Sequence, residues 1–250
     1  MFKRRKRIVV WMTMHGSLKI VMSALLVALM LFMFTYELPA TKTWTYWTMP
    51  LSGKKIALDP GHGGPDGGAE SKDGIIEKDI NLAITLHLRD YLQQAGALVV
   101  MTRESDRDLA QSTTKGYSKR KTEDLLNRAQ FIIEQKSDLF VSVHLNSIPS
   151  NKWSGAQTFY YPGNQDNATL AALIQDEMKK NMQNTDRVAK SIDNIYLLKT
   201  LTIPSALVEV GFLSNPSEAD LLRSPAYQKK VAAAIYQGIL RYYSGEKVGS

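Results

Sequence analysis

The 250-residue sequence contains no cysteine. That excludes disulfides and thiolate metal centres, so any metal bound here takes nitrogen or oxygen ligands. Acid is missing from residues 1–36, which carry Lys3, Arg4, Arg5, Lys6, Arg7 and Lys19. Setting those six aside leaves 25 basic against 24 acidic residues, so the net charge of +7 belongs to the leader and not to a basic binding face. Beyond the leader the only basic cluster is Lys115, Lys119, Arg120 and Lys121, which reads as a solvated loop and helix start. No nucleic-acid partner is expected from such a distribution. Internal repeats and Pro/Ser-rich linkers are also absent, which favours one α/β domain after one leader. No G-x-S-x-G elbow and no H-E-x-x-H pair occurs, which disfavours α/β-hydrolase and zincin chemistry. The glycine-rich stretch DPGHGGPDGG at 59–68 is not a phosphate loop: a G-x-G-x-x-G match from Gly61 needs glycine where Asp66 stands.

What is present begins with a basic n-region, MFKRRKR, and an uncharged apolar run from Ile20 to Tyr36. The run is long for a signal h-region and slightly shorter than the roughly 20 residues of a typical span. The apolar stretch Ile8 to Leu18 lets the helix extend backwards, with Lys19 snorkelling. Positive charge before the run predicts the N-terminus inside and the rest of the chain outside. The best cleavage point follows Ala40, but Leu38 is a poor residue for it, so an uncleaved anchor is favoured over a removed signal. The expected organisation is therefore a leader over 1–40 and a connector over 41–53, with Trp44, Tyr46 and Trp47 as an interfacial belt. A catalytic domain over 54–243 and a tail over 244–250 follow.

Within the domain, Lys55–Asp59, Ala97–Thr102, Asp138–His144, Gly155–Tyr161 and Ser205–Val210 read as strands. Glu77–Gln94, Thr122–Gln135, Asn167–Met182 and the stretch from Ser224-Pro225 to about Tyr243 read as helices. The second of these is expected to turn Leu125, Leu126, Ala129, Ile132 and Ile133 inward. Asn215-Pro216-Ser217-Glu218 reads as an N-cap, a proline at the first helical position and a capping-box glutamate. Alternation of strands and helices predicts a mainly parallel sheet covered on both faces. Such sheets place their sites at the carboxyl ends of strands.

That rule selects four residues. His62 follows the first strand, His144 ends the third, Glu209 lies near the end of SALVEV, and Glu77 opens the first helix. Two imidazoles and one carboxylate with an open fourth position are the ligand set of a catalytic zinc. His87, in a helix interior between Ile84 and Tyr91, reads as structural.

Five segments then carry a family resemblance: DPGHGG at 59–64, IIEKDINL at 75–82, MTR at 101–103, VSVHLNS at 141–147 and LVEVGFLSN at 207–215. In this order and spacing they resemble the zinc-dependent N-acetylmuramoyl-L-alanine amidases, over about residues 54–243. The resemblance implies a mixed sheet flanked by helices. It implies His62, Glu77 and His144 as zinc ligands, Glu209 as the catalytic carboxylate, and Asn146 near the substrate. It also implies hydrolysis of the amide between N-acetylmuramic acid and L-alanine in peptidoglycan, outside the cytoplasm. The short leader and the GAQTFYY segment are similar to the subgroup acting on spore cortex. A restraining or activating protein partner is expected, since a wall hydrolase outside the membrane must be controlled. Two alternatives stand beside this reading: a non-catalytic peptidoglycan-binding module, and a zinc peptidase cutting within the stem peptide.

Overall fold

The computed structural model describes residues 14–35 and 49–247. The expected cleavage point after Ala40 and the belt at Trp44, Tyr46 and Trp47 lie outside the described residues.

The first unit contributes one described helix, α1 (Met14–Thr35). It runs back through Lys19, as the extended apolar stretch predicts. Its Met14–Met33 portion has a mean hydropathy of 2.1 and none of it is buried against protein. At 1.5 Å per residue, 22 residues reach about 33 Å, enough for the roughly 30 Å hydrocarbon core of a bilayer.

The second unit begins at Met49. Its elements run β1 (Lys55–Pro60), α2 (Glu77–Gln94), β2 (Leu98–Met101), α3 (Tyr117–Glu134), β3 (Leu139–Asn146), β4 (Gln157–Tyr160), α4 (Gln165–Met182), β5 (Lys190–Ser191), α5 (Tyr196–Thr200), β6 (Ser205–Phe212), α6 (Pro216–Arg223) and α7 (Pro225–Tyr243). The six strands form one sheet in the order β2-β1-β3-β6-β4-β5. All neighbours are parallel except β4 against β6, so the sheet is mixed.

The central strands β1, β3 and β6 are buried almost throughout, as strands covered on both faces must be. Successive side chains then alternate between two apolar layers. Ile56, Leu58, Leu139, Val141, Val143, Val208 and Val210 pack with α2, α4 and α7. Ala57, Phe140 and Leu207 pack the other way, against Ala129 and Ile132 of α3 and Leu197 and Leu198 of α5. By the same alternation Asp59, Ser142, His144 and Glu209 fall on the thinner α3–α5 side.

Four local expectations need correction. α3 starts at Tyr117 instead of Thr122. Its first turn is polar but tied down: Arg120 pairs with Asp108 and Lys121 with Asp66, so half of the basic cluster is engaged within the fold and not simply solvated. Leu126 and Ile133 of α3 are 49% and 51% exposed, because the buried arc instead passes through Asp124, Arg128, Ala129 and Ile132. Asn215 does cap α6, accepting from the Glu218 amide, but the Glu218 carboxylate does not return to close a capping box. It accepts instead from the amides of Phe212 and Gly155, which joins β6 to the loop before β4. Finally, β5 and α5, of two and five residues, were not legible: neither is long enough to show a period.

Candidate metal centre and catalytic carboxylate

Register brings the predicted residues together. In the β3–β6 pair His144 lies directly beside Glu209, one strand spacing away on the same face. His62 stands two residues beyond β1, in a tight turn whose amide at Gly61 still donates to the Val143 carbonyl of β3. Glu77 is the first residue of α2, where its acid also complements the positive end of the helix.

His62, Glu77 and His144 each present a ligand atom, and these atoms lie within 4.8 Å of one another. Glu77 Oε1 is 3.2 Å from His62 Nε2 and 3.1 Å from His144 Nδ1. Donors about 2.0–2.1 Å from a tetrahedral zinc sit about 3.3 Å apart, which the two glutamate–histidine distances match. The two imidazoles meet edge to face, with centroids 4.9 Å apart. Glu77 is almost fully buried and its remaining capacity is used: Leu145 and Ala69 amides donate to it at 2.9 Å, and Asn81 Nδ2 at 3.2 Å. Burial alone would raise its pKa, but the two histidines hold it far below the usual carboxylate range. Burial would likewise lower His62, yet hydrogen bonds to Asp66 and Glu77 carry it up to about 9. A cation at this point would take over the role of that proton.

Glu209 differs from Glu77 in having no hydrogen-bond partner among the described residues. Its Oε2 is shielded from solvent and makes no hydrogen bond. Burial pushes its pKa up to about 7, outweighing the nearby His144. An unpaired, neutral-range carboxylate beside a ligand cluster is suited to moving a proton. His62, His144 and Glu209 line a cavity of about 280 Å³ whose other walls include Leu125, Phe140, Ile195 and Leu207, and Glu77 touches both histidines without lining it. A larger open depression of about 770 Å³ between Tyr160 and Tyr243 holds none of the four. Chemistry, not size, decides between them, and it favours the smaller cavity.

Two glycines make the crowding possible. A β-carbon at Gly61 would stand 2.2–2.6 Å from the His144 ring, and one at Gly68 2.6 Å from Glu77 Oε2 and 2.7 Å from His62 Cδ2. Gly61→Ala should therefore displace His144 and lower activity by about 10²-fold, since a 1 Å misplacement has that effect. Steady-state kinetics on the folded variant checks this; near-normal kcat/KM would contradict the assigned packing.

Beneath the turn, two buried arginines collect its carbonyls. Arg103 donates to Pro60 and Gly61, and Arg128 to Pro60 and His62, the last at 2.6 Å. This matters because His62 has φ +64°, a conformation that a residue with a β-carbon keeps only when its surroundings enforce it. Arg128 in turn lies between Asp59 at 2.5 Å and Asp124 at 2.8 Å. Arg103 stands in the MTR segment at 101–103, but neither arginine was given a role from sequence. Arg128 did leave a signal, a charged residue on the same helical arc as Leu125, Ala129 and Ile132.

Of the remaining sequence candidates, Asn146 lies past a register irregularity at the end of β3, pairs with Phe212, and is not among the cavity-lining residues. His87 stays on α2, away from the cluster.

Similarity to known proteins agrees with the geometry. Residues 56–241 match the family model described as N-acetylmuramoyl-L-alanine amidase. The chain is 56% identical over 216 residues to the germination-specific N-acetylmuramoyl-L-alanine amidase of Bacillus subtilis, covering 86% of this chain and 91% of that one. It is 34% identical over 216 residues to the N-acetylmuramoyl-L-alanine amidase LytC of the same organism, covering 85% of this chain and 40% of LytC. Among solved structures, the CwlD amidase from Clostridioides difficile, determined in complex with the GerS lipoprotein, superposes with a TM-score of 0.76 at 46% identity. That match covers 77% of this chain and all of CwlD. With the match spanning the whole sheet and every residue of the cluster, the chain belongs to the N-acetylmuramoyl-L-alanine amidase family.

Proposed function

We propose that this protein is a zinc-dependent N-acetylmuramoyl-L-alanine amidase, with its catalytic domain over 54–243, held at the outer face of the membrane by its N-terminal helix. His62, Glu77 and His144 hold the ion and Glu209 is the catalytic carboxylate. The observation that carries this reading is the juxtaposition of a compact N,N,O ligand set with an unpaired Glu209, the two histidines and Glu209 lining one cavity.

Zinc bound there supplies Lewis acidity to the scissile carbonyl and acidifies water. Glu209 takes a proton from the attacking water as the C–O bond forms at the lactyl carbon of muramic acid. The same carboxylate then delivers that proton to the departing L-alanine nitrogen as the C–N bond breaks. The products are a muramic carboxylate and a stem peptide with a free L-alanine amine. Leu125, Phe140 and Leu207 limit bulk water on one side, which strengthens the electrostatics of the transfer. Asn146 is retained as a residue near the substrate path, at the strand end that carries His144.

The strong similarity to a germination-specific amidase supports a role in spore-cortex peptidoglycan. The lipoprotein bound to the CwlD amidase supports a protein partner for this chain as well. α1 is long and apolar enough to cross a membrane, as an anchor or a signal would be, and the poor Leu38 at the cleavage point favours the anchor.

Incubation with purified cortex and vegetative peptidoglycan, followed by mass spectrometry, tests the activity. Stem peptides with N-terminal L-alanine should appear, disappear on chelation and return with added zinc. Alanine left on muramic acid would instead mean a peptidase within the stem. Binding without any cleavage by the zinc-loaded protein would mean a recognition module.

A further inference from the structure

His62 turns its two ring nitrogens in opposite directions. Nε2 faces Glu77 Oε1 at 3.2 Å, while Nδ1 lies 2.9 Å from Asp66 Oδ2. Asp66 is itself held on both oxygens. Tyr117 donates to Oδ1 at 2.8 Å and the Gly68 amide at 3.1 Å, and the Lys121 ammonium sits 3.0 Å from Oδ2. The Asp66 backbone is fixed too, exchanging hydrogen bonds with Gly63 in both directions. Tyr117 and Lys121 belong to the first turns of α3, the helix whose Arg128 also grips the His62 carbonyl. One helix therefore holds His62 at its backbone and, through Asp66, at its ring.

We propose that Asp66, tethered by Tyr117 and Lys121, is a positioning residue of the metal centre: it keeps the proton on His62 Nδ1 and so leaves Nε2 free to bind the ion. The inference rests on the zinc reading of the triad. A neutral imidazole carries one proton, and a carboxylate can only accept. Facing Asp66, Nδ1 must be the protonated nitrogen, and the lone pair is then at Nε2, on the side of Glu77 and His144. Asparagine cannot reproduce this. With its oxygen toward His62, its amide group meets the Gly68 N–H. With its amide group toward His62, it faces the Lys121 ammonium and favours the tautomer protonated at Nε2.

Asp66→Asn tests the assignment through zinc affinity, measured by competition with a chromophoric chelator. Affinity should fall about 10- to 100-fold, the usual effect of removing such an outer partner. The metal-free variant should unfold at a lower temperature, because Asp66 also stabilises protonated His62 there, so affinity is measured on folded protein and the ring tautomer separates positioning from a purely structural role. In the zinc-loaded protein, ¹⁵N NMR should show a slowly exchanging proton on His62 Nδ1 that becomes fast-exchanging in the variant. The double variant Tyr117→Phe/Lys121→Met keeps the carboxylate but frees it, and should show a smaller loss of affinity. Unchanged zinc affinity in Asp66→Asn overturns the proposal. If that variant does not fold, unchanged affinity in the double variant does so. Failure of the wild-type protein itself to bind zinc would overturn the zinc reading, and this inference with it.

Discussion

Replacing Glu209 by glutamine should lower kcat by about 10²- to 10⁴-fold while zinc content stays at the wild-type level. Glutamine keeps the volume and most of the polarity but cannot take a proton. KM should change little, because the lost interaction exists only as the proton moves. Steady-state kinetics with a soluble muramoyl peptide reads kcat and KM, and metal analysis reads the zinc content. A variant that lost zinc would make Glu209 a ligand; one with near-normal kcat would remove it from the chemistry.

The same substitution should stabilise the metal-free fold above neutral pH. Glu209 is raised from 4.5 to about 7 by burial, with no hydrogen bond to Oε2 in compensation. A carboxylate whose folded pKa is raised is tolerated best below its unfolded pKa. Its cost to stability grows as pH rises from about 4.5 and is complete above about 7. At pH 8 the glutamine variant should therefore be more stable than wild type, by on the order of 3 kcal/mol, with the difference vanishing near pH 4. Catalytic groups are commonly held against the stability of the fold in this way.

Arg128→Met should be the most destabilising single change near the site, by about 3–5 kcal/mol, the effect of removing one partner of a buried ion pair. Asp59, Asp124 and Arg128 are all nearly inaccessible. Without the guanidinium, two carboxylates remain in the interior, and the Pro60 and His62 carbonyls lose a donor. Methionine fills much of the space, so the loss reports charge and hydrogen bonding more than volume. Burial would raise Asp59, but Arg128, aided by Thr102 and Ser142, brings it down to about 2. The stabilisation from this depressed carboxylate is present above its ordinary pKa of 3.8 and is lost as pH falls through about 2. Urea titrations should place the variant's midpoint well below wild type at pH 7. A difference under about 1 kcal/mol would mean that the network does not hold the turn.

How much of this was readable from residues alone depends on what encodes each feature. His144 and Glu209 were legible as polar residues toward the carboxyl ends of buried strands, although those strands run past the expected ends to Asn146 and Phe212, and register made the two neighbours. Glu77 was legible as the acid opening α2. The tight turn at Gly61 and Gly68 was legible as a glycine-rich stretch, although what each glycine makes room for became clear only from the packing. Arg128 and Asp59 are 69 residues apart, and no local pattern predicts their meeting. Glu218 obeyed the capping-box spacing yet bonded elsewhere, since two amides from Phe212 and Gly155 were available to it. α5 supplies Leu197 and Leu198 to the cavity wall from a segment too short to announce itself as a helix.

Anomalous diffraction at the zinc absorption edge, from crystals of the zinc-loaded protein, tests the central claim most directly. A single strong peak should lie among His62 Nε2, His144 Nδ1 and Glu77 Oε1, with the Glu209 carboxylate nearby but not coordinated. No peak at that point, or one whose nearest side chains exclude either histidine, would contradict it.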